Sequence, residues 1–284
     1  GIPFKTFPLH LIPIERPIDD DNNNNSNNNN ISTLIELCKR RVWVIPSFFT
    51  RQECQSWIDF CESTSTLTSS YQINRATAYT AHRECYRLQQ PDATTLASRI
   101  FERLRSTRTS CPGGGKSRTE SVVDRLMLET EDIYPAGSSS IDARRIVGCN
   151  PNFRVYKYSR GHSFGRHVDE SNNVPSQGMT GMTVLLYLSE CQGGATRFYT
   201  THGYEEEEQR RRRQKTTTTS GNKKKNGSRT TPTPSSSSSS SSFAFQPSVG
   251  SMLLHVHGQH CLEHEAEPVL DGNKYVLRTD LVFG

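Results

Sequence analysis

Hydrophobic and polar residues alternate with a period of two along most of the chain after residue 149. Successive side chains of a strand point to opposite faces of a sheet, so this pattern predicts short strands with one buried face. Gly, Asn and Pro separate the alternating segments. The predicted strands are residues 153–158, 182–188, 196–199, 251–257 and 274–283.

The part of the chain before residue 149 has helical periodicity instead. Apolar residues from Cys54 to Cys61 recur on one helical face, and Thr50 with Glu53 predicts a capping box at the start of that helix. A second helix is predicted over residues 93–104, where Leu and Ile recur on one stripe. A strand over residues 42–45 precedes both helices.

Helices followed by short strands predict an α+β chain that ends in a β-sandwich or barrel. We divide it into an extended arm or edge strand with an Asn-rich spacer (1–32), a helical support region with an opening strand (33–149) and a strand domain (150–284). Residues 203–242 are rich in Glu, Arg, Thr, Lys and Ser and interrupt the strand domain. Because such a composition cannot bury enough apolar area to offset chain entropy, we expect a long disordered insertion there.

The formal net charge of +5 does not belong to the predicted folded part. Residues 203–242 contain nine basic and four acidic residues, which leaves 25 of each from the 34 and 29 in the whole chain. A formally neutral fold argues against a basic groove for nucleic acid.

The cysteines and the hydropathy of the chain indicate in which cellular compartment the protein is expected. The eight cysteines are scattered without a CxxC pair, which predicts reduced thiols in a reducing compartment. No apolar run reaches the roughly 18 residues of a membrane-spanning helix. We therefore expect a cytoplasmic or nuclear protein, although the chain begins at Gly1 and a targeting segment could precede it. No pattern in the sequence indicates an oligomeric state.

The first candidate for chemistry is the tripeptide that contains His167 and Asp169. Residues two apart on an extended backbone point to the same side, so both side chains can reach one metal ion. With a distal histidine they would make the two-histidine, one-carboxylate set of non-haem iron enzymes, which leaves coordination positions open. A His-x-Asp tripeptide also occurs by chance in polar loops, so the motif needs support from elsewhere in the chain.

A third ligand can come from any of four histidines, and a cation on the last strand helps to choose among them. Lys274 follows His264 by ten residues, so a hairpin between the two would bring its ammonium into the same cavity as the metal ligands. A buried cation is what the remote carboxylate of a dicarboxylate requires. Arg278 shares the face of Lys274 and is the alternative anchor, unless it only pairs with Asp280. The candidate third ligands are His255, His257, His260 and His264.

The order of these motifs resembles a known family. His167-x-Asp169, then Gly193-Gly194-x-Thr196, then His264, then Pro268 to Lys274 is similar to the prolyl 4-hydroxylase alpha-subunit-like branch of the iron(II)/2-oxoglutarate-dependent dioxygenases. The segment from Val44 to Cys54 also resembles this branch, so the likeness runs from about residue 41 to the C-terminus. The 97 residues between His167 and His264 fall to 57 without the 40-residue insertion, a spacing similar to that of the family.

The resemblance implies a double-stranded β-helix, or jelly roll, with Fe(II) held by His167, Asp169 and His264. It implies that 2-oxoglutarate chelates the iron through its C1 carboxylate and keto oxygen, while its C5 carboxylate meets Lys274. Dioxygen is the co-substrate, succinate and CO2 are released, and ascorbate keeps the iron ferrous. The implied reaction is hydroxylation of an unactivated C–H bond.

The resemblance also suggests roles for four further residues, each with a plainer alternative. Tyr187 would hydrogen-bond the C5 carboxylate or be a core aromatic residue, and Tyr158 would line the C1 end or pack. Thr196 would face the iron or serve a turn. We interpret His255 as a residue that supports the metal ligands or the core rather than as a ligand.

The substrate stays open at the level of sequence. A prolyl side chain of a protein is the default, but the Lys-Tyr-Val-Leu-Arg-Thr-Asp segment at residues 274–280 differs from collagen-type enzymes. Another protein side chain or a small molecule would suit the same iron chemistry. Two alternatives are a nucleic-acid dealkylating dioxygenase and a non-catalytic jelly-roll binding module.

Overall fold

The structure is a computed structural model that describes residues 6–13, 32–63, 70–110, 119–133, 145–200 and 241–284. The Asn-rich spacer and residues 203–240 of the expected insertion lie outside this part of the chain. Ser241 and Ser242 begin a strand, so the sheet resumes two residues before the expected end of the insertion.

The described residues contain three α-helices: α1 (Arg51–Glu62), α2 (Thr94–Ser106) and α3 (Val122–Thr130). The predicted capping box of α1 is confirmed, because Thr50 Oγ1 accepts from the Glu53 amide at 3.1 Å and Glu53 accepts from the Thr50 amide at 2.8 Å. The second predicted helix is confirmed to within two residues at each end. Helix α3 lies outside every predicted element.

Strands make up most of the rest of the described chain. The first seven precede or open the predicted strand domain: β1 (Ile35–Cys38), β2 (Val42–Ile45), β3 (Tyr71–Asn74), β4 (Arg83–Gln90), β5 (Arg108–Ser110), β6 (Thr119–Ser121) and β7 (Ile146–Cys149). The next six are β8 (Phe153–Tyr158), β9 (Phe164–His167), β10 (Asn173–Val174), β11 (Gly178–Tyr187), β12 (Gln192–Gly193) and β13 (Thr196–Thr200). The last five are β14 (Ser241–Phe245), β15 (Met252–Val256), β16 (Glu263–Ala266), β17 (Val269–Asp271) and β18 (Lys274–Phe283).

Eight of these strands form the two halves of a curled, antiparallel sheet. One half has the order β15-β11-β18-β8, and the other has the order β9-β16-β13-β14. The halves face each other, since Tyr187 of β11 is hydrogen-bonded to Thr196 of β13 at 2.8 Å. This arrangement is the predicted jelly-roll core.

The region before residue 149 extends this sheet as well as supporting it. Strand β2 pairs with β15 at one edge, and β4 lies between β8 and β9 and so connects the two halves. Both connections cross the boundary expected between the support region and the strand domain.

Helices α1 and α2 cover the outer face of the first half. Trp57 and Ile100 are fully buried in one apolar cluster with Val155 of β8 and Leu277 of β18. The arm adds Phe7, whose ring lies 5.5 Å from that of Trp57. Residues 6–13 contain a short 3-10 turn rather than an edge strand. No helix in the described ranges combines the length and apolar character needed to span a membrane.

Candidate metal centre

The predicted metal ligands meet in a cavity between the two halves of the sheet. His264 of β16 pairs in register with His167 of β9, and Asp169 follows β9 directly. The ligand atoms of these three residues all lie within 4.8 Å of one another. Asp169 lies between the histidines, with Oδ1 3.8 Å from His167 Nε2 and Oδ2 3.8 Å from His264 Nε2. The structure therefore brings together the three residues that the sequence selected.

Both histidines have the tautomer that a metal requires. His167 Nδ1 donates to the Gly165 carbonyl at 2.9 Å, and His264 Nδ1 donates to the Leu262 carbonyl at 2.9 Å. Each Nε2 is therefore left with its lone pair. Burial lowers the pKa of His167 to about 4 and also lowers the pKa of His264, so both rings are neutral near pH 7.

Asp169 is kept ionised by its neighbours. Arg278 lies 3.0 Å from Oδ2, and Thr183 donates its hydroxyl proton to the same oxygen at 2.5 Å. Burial by itself would raise the pKa of this carboxyl, but Arg278 holds it well below its usual range. The two contacts fix Oδ2 and orient the carboxylate within the cavity.

Arg278 also pairs with a second carboxylate, that of Asp280. Arg278 lies 3.6 Å from Asp280 Oδ1, and Asn150 donates to Asp280 Oδ2 at 3.0 Å. His257 Nε2 donates to Thr183 Oγ1 at 2.6 Å, so this histidine supports Thr183. Arg278 thus pairs with Asp280, as the plainer interpretation expects, and with Asp169 as well.

Lys274 forms the other end of the cavity. Its side chain is buried, and Nζ donates to the Gly194 carbonyl at 2.6 Å and lies 3.5 Å from Thr196 Oγ1. Gly194 has φ = 64°, and a Cβ there would lie 2.9 Å from Cys191 Sγ, so the Gly-Gly turn allows this carbonyl to reach Lys274. Burial lowers the pKa of Lys274 to about 8. Among the described residues, no carboxylate oxygen lies within 4.0 Å of Nζ.

Two aromatic residues and Thr196 surround this lysine. Lys274 Nζ lies 5.4 Å from the ring centre of Tyr187 and 5.7 Å from that of Tyr158. Tyr158 and Thr196 thus lie at the lysine end. The pairing of β8 with β18 places Tyr158 opposite Lys274, and both residues line the cavity that contains the metal ligands. The roles expected for Tyr158 at the C1 end and for Thr196 toward the iron stay predictions.

His255 has an unpaired nitrogen directed at Asp169. Its Nδ1 donates to the Val256 carbonyl at 3.3 Å, while Nε2 has no hydrogen-bond partner and lies 3.5 Å from Asp169 Oδ2. Burial lowers the pKa of His255 well below its ordinary value, so no proton separates the two lone-pair-bearing atoms. A cation in the cavity would give His255 Nε2 a partner, so the donor set fits a metal ion.

The buried charges of the cavity balance before any ligand is added. Asp169 of the cavity and Asp280 behind it are opposed by Arg278 and Lys274, while Glu265, which also lines the cavity, is only half-buried and accepts from Tyr199. A divalent cation and a dicarboxylate would enter as another neutral pair, so a buried site would keep its charge balance.

Thr183 and Phe164 belong to the site although no role was predicted for either. Phe164 stacks on the His167 ring with centres 3.7 Å apart, and Thr183 binds Asp169. Thr183 shares strand parity with Tyr187, which is a signal that sequence reasoning could have used. Phe164 has no comparable signal, since its place depends on the pairing of β9 with β16 and β4.

One family model matches most of the strand domain. Residues 153–279 match the family model described as the 2OG-Fe(II) oxygenase superfamily. No curated protein matches the sequence.

The fold is similar to that of solved structures at low sequence identity. A viral collagen prolyl hydroxylase from Paramecium Bursaria Chlorella virus-1 is 13% identical, over 85% of this chain and 95% of that chain, with a TM-score of 0.39. A prolyl-4-hydroxylase from Pseudomonas putida is 11% identical, over 85% and 91%, with a TM-score of 0.39. A Trichoplax adhaerens prolyl hydroxylase, in complex with a hypoxia inducible factor peptide fragment, is 13% identical over 86% and 84%, with a TM-score of 0.42. We draw no functional conclusion from likeness at this level.

Proposed function

Because residues 153–279 form a domain of the 2OG-Fe(II) oxygenase superfamily, we propose that this enzyme hydroxylates a side chain of a protein substrate, with prolyl as the first candidate. The superfamily uses Fe(II), 2-oxoglutarate and O2. The release of succinate and CO2, and the use of ascorbate as reductant, belong to this proposal.

The observation that carries the proposal is the combination of two features in one cavity. His167, Asp169 and His264 offer three metal-directed atoms, and Lys274 offers a buried cation with no carboxylate partner among the described residues. A metal-binding module without turnover would not require the buried lysine. A dicarboxylate co-substrate requires both features.

His167 Nε2, Asp169 and His264 Nε2 would hold the iron. When bound, Fe(II) with O2 supplies the oxidation of an unactivated C–H bond, coupled to decarboxylation of 2-oxoglutarate. The protein's own part is to keep both histidines neutral, to keep Asp169 ionised through Arg278 and Thr183, and to orient all three.

Lys274 would bind the C5 carboxylate of 2-oxoglutarate. The hydroxyls of Tyr187 and Thr196 lie beside it and can donate to the same carboxylate. Arg278 is the weaker candidate for this role, because Asp169 and Asp280 already occupy its guanidinium. A ligand anchored at Lys274 would direct its keto acid end toward the metal ligands, since all of these residues line one cavity.

The first test measures succinate made from 2-oxoglutarate in the presence of Fe(II) and ascorbate, without any protein substrate. We expect slow succinate formation by the wild-type protein and none above background for His167→Ala or Asp169→Asn. His10→Ala is the matched control, since His10 is exposed on the arm. Unchanged succinate formation in the two site variants would overturn the metal assignment.

The second test concerns the substrate. Proline-containing peptides are incubated with the complete reaction mixture and examined by mass spectrometry for the gain of one oxygen atom. Hydroxylation of a residue other than proline would keep the reaction class and replace the substrate. Succinate formation that no peptide stimulates would argue for a small-molecule substrate instead.

A further inference from the structure

A second set of metal-directed atoms overlaps the first. The ligand atoms of His255, Cys261 and His264 all lie within 4.8 Å of one another. His264 belongs to both sets, while His255 and Cys261 are not among the three ligands assigned to iron above.

His255 is prepared for a metal in the same way as the other histidines. It is buried, its Nδ1 donates to a backbone carbonyl, and Nε2 has no partner. A buried, unpaired nitrogen is costly unless something binds there. Because His264 also uses Nδ1 for a backbone carbonyl, both rings present Nε2 to the same space.

Cys261 adds a sulfur ligand whose thiolate form has local support. The Asp169 amide donates to Cys261 Sγ at 3.3 Å, a contact that stabilises negative charge on sulfur. Without a metal, the thiol donates its proton to the Leu262 carbonyl, with Sγ 3.5 Å from that oxygen. Formation of a sulfur–metal bond would release that proton to solvent.

Asp169 can supply a fourth donor to this set. Its Oδ2 lies 3.5 Å from His255 Nε2 and 3.8 Å from His264 Nε2. With the Asp169 carboxylate beside both histidines, two nitrogens and one sulfur would make a set of four donors, which is the preference of Zn²⁺ and of its spectroscopic substitute Co²⁺.

We propose that His255, Cys261, His264 and Asp169 form a second, thiolate-containing site for a thiophilic divalent cation such as Zn²⁺, and that its occupation excludes metal from the first set. The two sets share His264 and Asp169, so one chain holds one metal at a time. Binding at the second site does not depend on the proposed function. The consequence that Zn²⁺ inhibits the oxygenase rests on that function.

Cobalt absorbance tests the site without any turnover. The metal-free full chain is titrated with Co²⁺, and we expect a thiolate-to-cobalt charge-transfer band in the near ultraviolet that saturates at one equivalent. The band should be lost in Cys261→Ser and retained in Cys191→Ser, whose cysteine is also half-buried but lies outside the set. It should also be retained in His167→Ala, because His167 belongs to the first set alone.

Zinc affinity gives the quantitative counterpart. We expect Cys261→Ser to weaken Zn²⁺ binding at least about tenfold, since loss of even a residue that only supports a metal ligand costs 10- to 100-fold. The affinity of Cys191→Ser should equal that of the wild type.

Alkylation of the wild-type protein avoids the risk that a variant fails to fold. Zn²⁺ should protect Cys261, but not Cys191, from iodoacetamide, as read by peptide mass spectrometry, and Mg²⁺ should protect neither. Absence of the cobalt band in the wild type, its persistence in Cys261→Ser, or alkylation of Cys261 unaffected by Zn²⁺ would each overturn the proposal. None of these results bears on succinate formation, so failure here and failure of the proposed function are distinguishable.

Discussion

Lys274 and Arg278 lie four residues apart on β18 and line the same cavity, yet their surroundings differ. Arg278 lies between the carboxylates of Asp169 and Asp280, whereas Lys274 faces a carbonyl and hydroxyls. Asp280 lies beyond Arg278 on the same strand, and Asp169 comes from the opposite half of the sheet. The comparison teaches that strand parity places a cation in a cavity, while its partners decide whether it supports the metal ligands or remains available to bind a co-substrate.

The largest effect should come from removing the available cation. Lys274→Ala should raise the KM for 2-oxoglutarate about 30-fold or more, because loss of one partner of a buried charge pair costs about 2–5 kcal/mol. The requirement for Fe(II) should change little. Succinate formation is measured against the concentration of 2-oxoglutarate and then against that of Fe(II), which separates the two constants. An equal rise in both would contradict separate roles for Lys274 and the metal ligands.

Arg278→Lys should produce the opposite pattern. A lysine keeps the charge but cannot contact Asp169 and Asp280 at the same time as the planar guanidinium does. Asp169 would then be held less firmly, so the Fe(II) concentration for half activity should rise about 10- to 100-fold. The KM for 2-oxoglutarate should stay near the wild-type value. Thr183→Val, which removes the hydroxyl donor to Asp169, is the matched variant and should shift the same constant. If Arg278→Lys mainly affects 2-oxoglutarate, the anchor role passes to Arg278.

The pH dependence of co-substrate binding should report Lys274 directly. Its pKa is lowered to about 8, so the ammonium that would bind the carboxylate is present below pH 8 and is lost as the pH rises. The KM for 2-oxoglutarate should therefore rise about fivefold between pH 8 and pH 9, as the protonated fraction falls. Lys274→Arg keeps its charge and should remove this rise. A rise that persists in Lys274→Arg must come from another group.

Tyr187→Phe should have the smallest effect of the substitutions. A single neutral hydrogen bond contributes about 0.5–1.5 kcal/mol, so the KM for 2-oxoglutarate should rise about two- to tenfold if the hydroxyl binds the carboxylate. An unchanged KM would favour the plainer interpretation, in which Tyr187 is a core aromatic residue bonded to Thr196.

Elements with strong local patterns were predictable from the sequence, and those with mixed patterns were not. The predicted strands 153–158 and 274–283 have the bounds observed for β8 and β18. Strand β4 escaped prediction because Arg, Glu and Gln occupy most of its positions, and its place in the sheet comes from pairing with β8 and β9.

The candidate site divides in the same way. The sequence alone selected His167, Asp169, His264 and Lys274 from their types and spacing. The positions of Tyr158 and Thr196 beside Lys274 were not predictable, because the pairing of separate strands decides which cavity residues lie next to each other. Thr183, His255 and Cys261 contact Asp169 from three separate segments, and no local sequence pattern predicts contacts between segments so far apart.

What the amino-acid sequence predicted by itself is therefore the oxygenase family and the residues of each local motif, since strand periodicity and ligand spacing act over a few neighbouring positions. Only the tertiary structure decided that Arg278 pairs with Asp169 while Lys274 faces no carboxylate within 4.0 Å among the described residues. The reason is physical: charge compensation in a buried cavity depends on side chains that lie far apart along the chain, and the register of the strands brings them together.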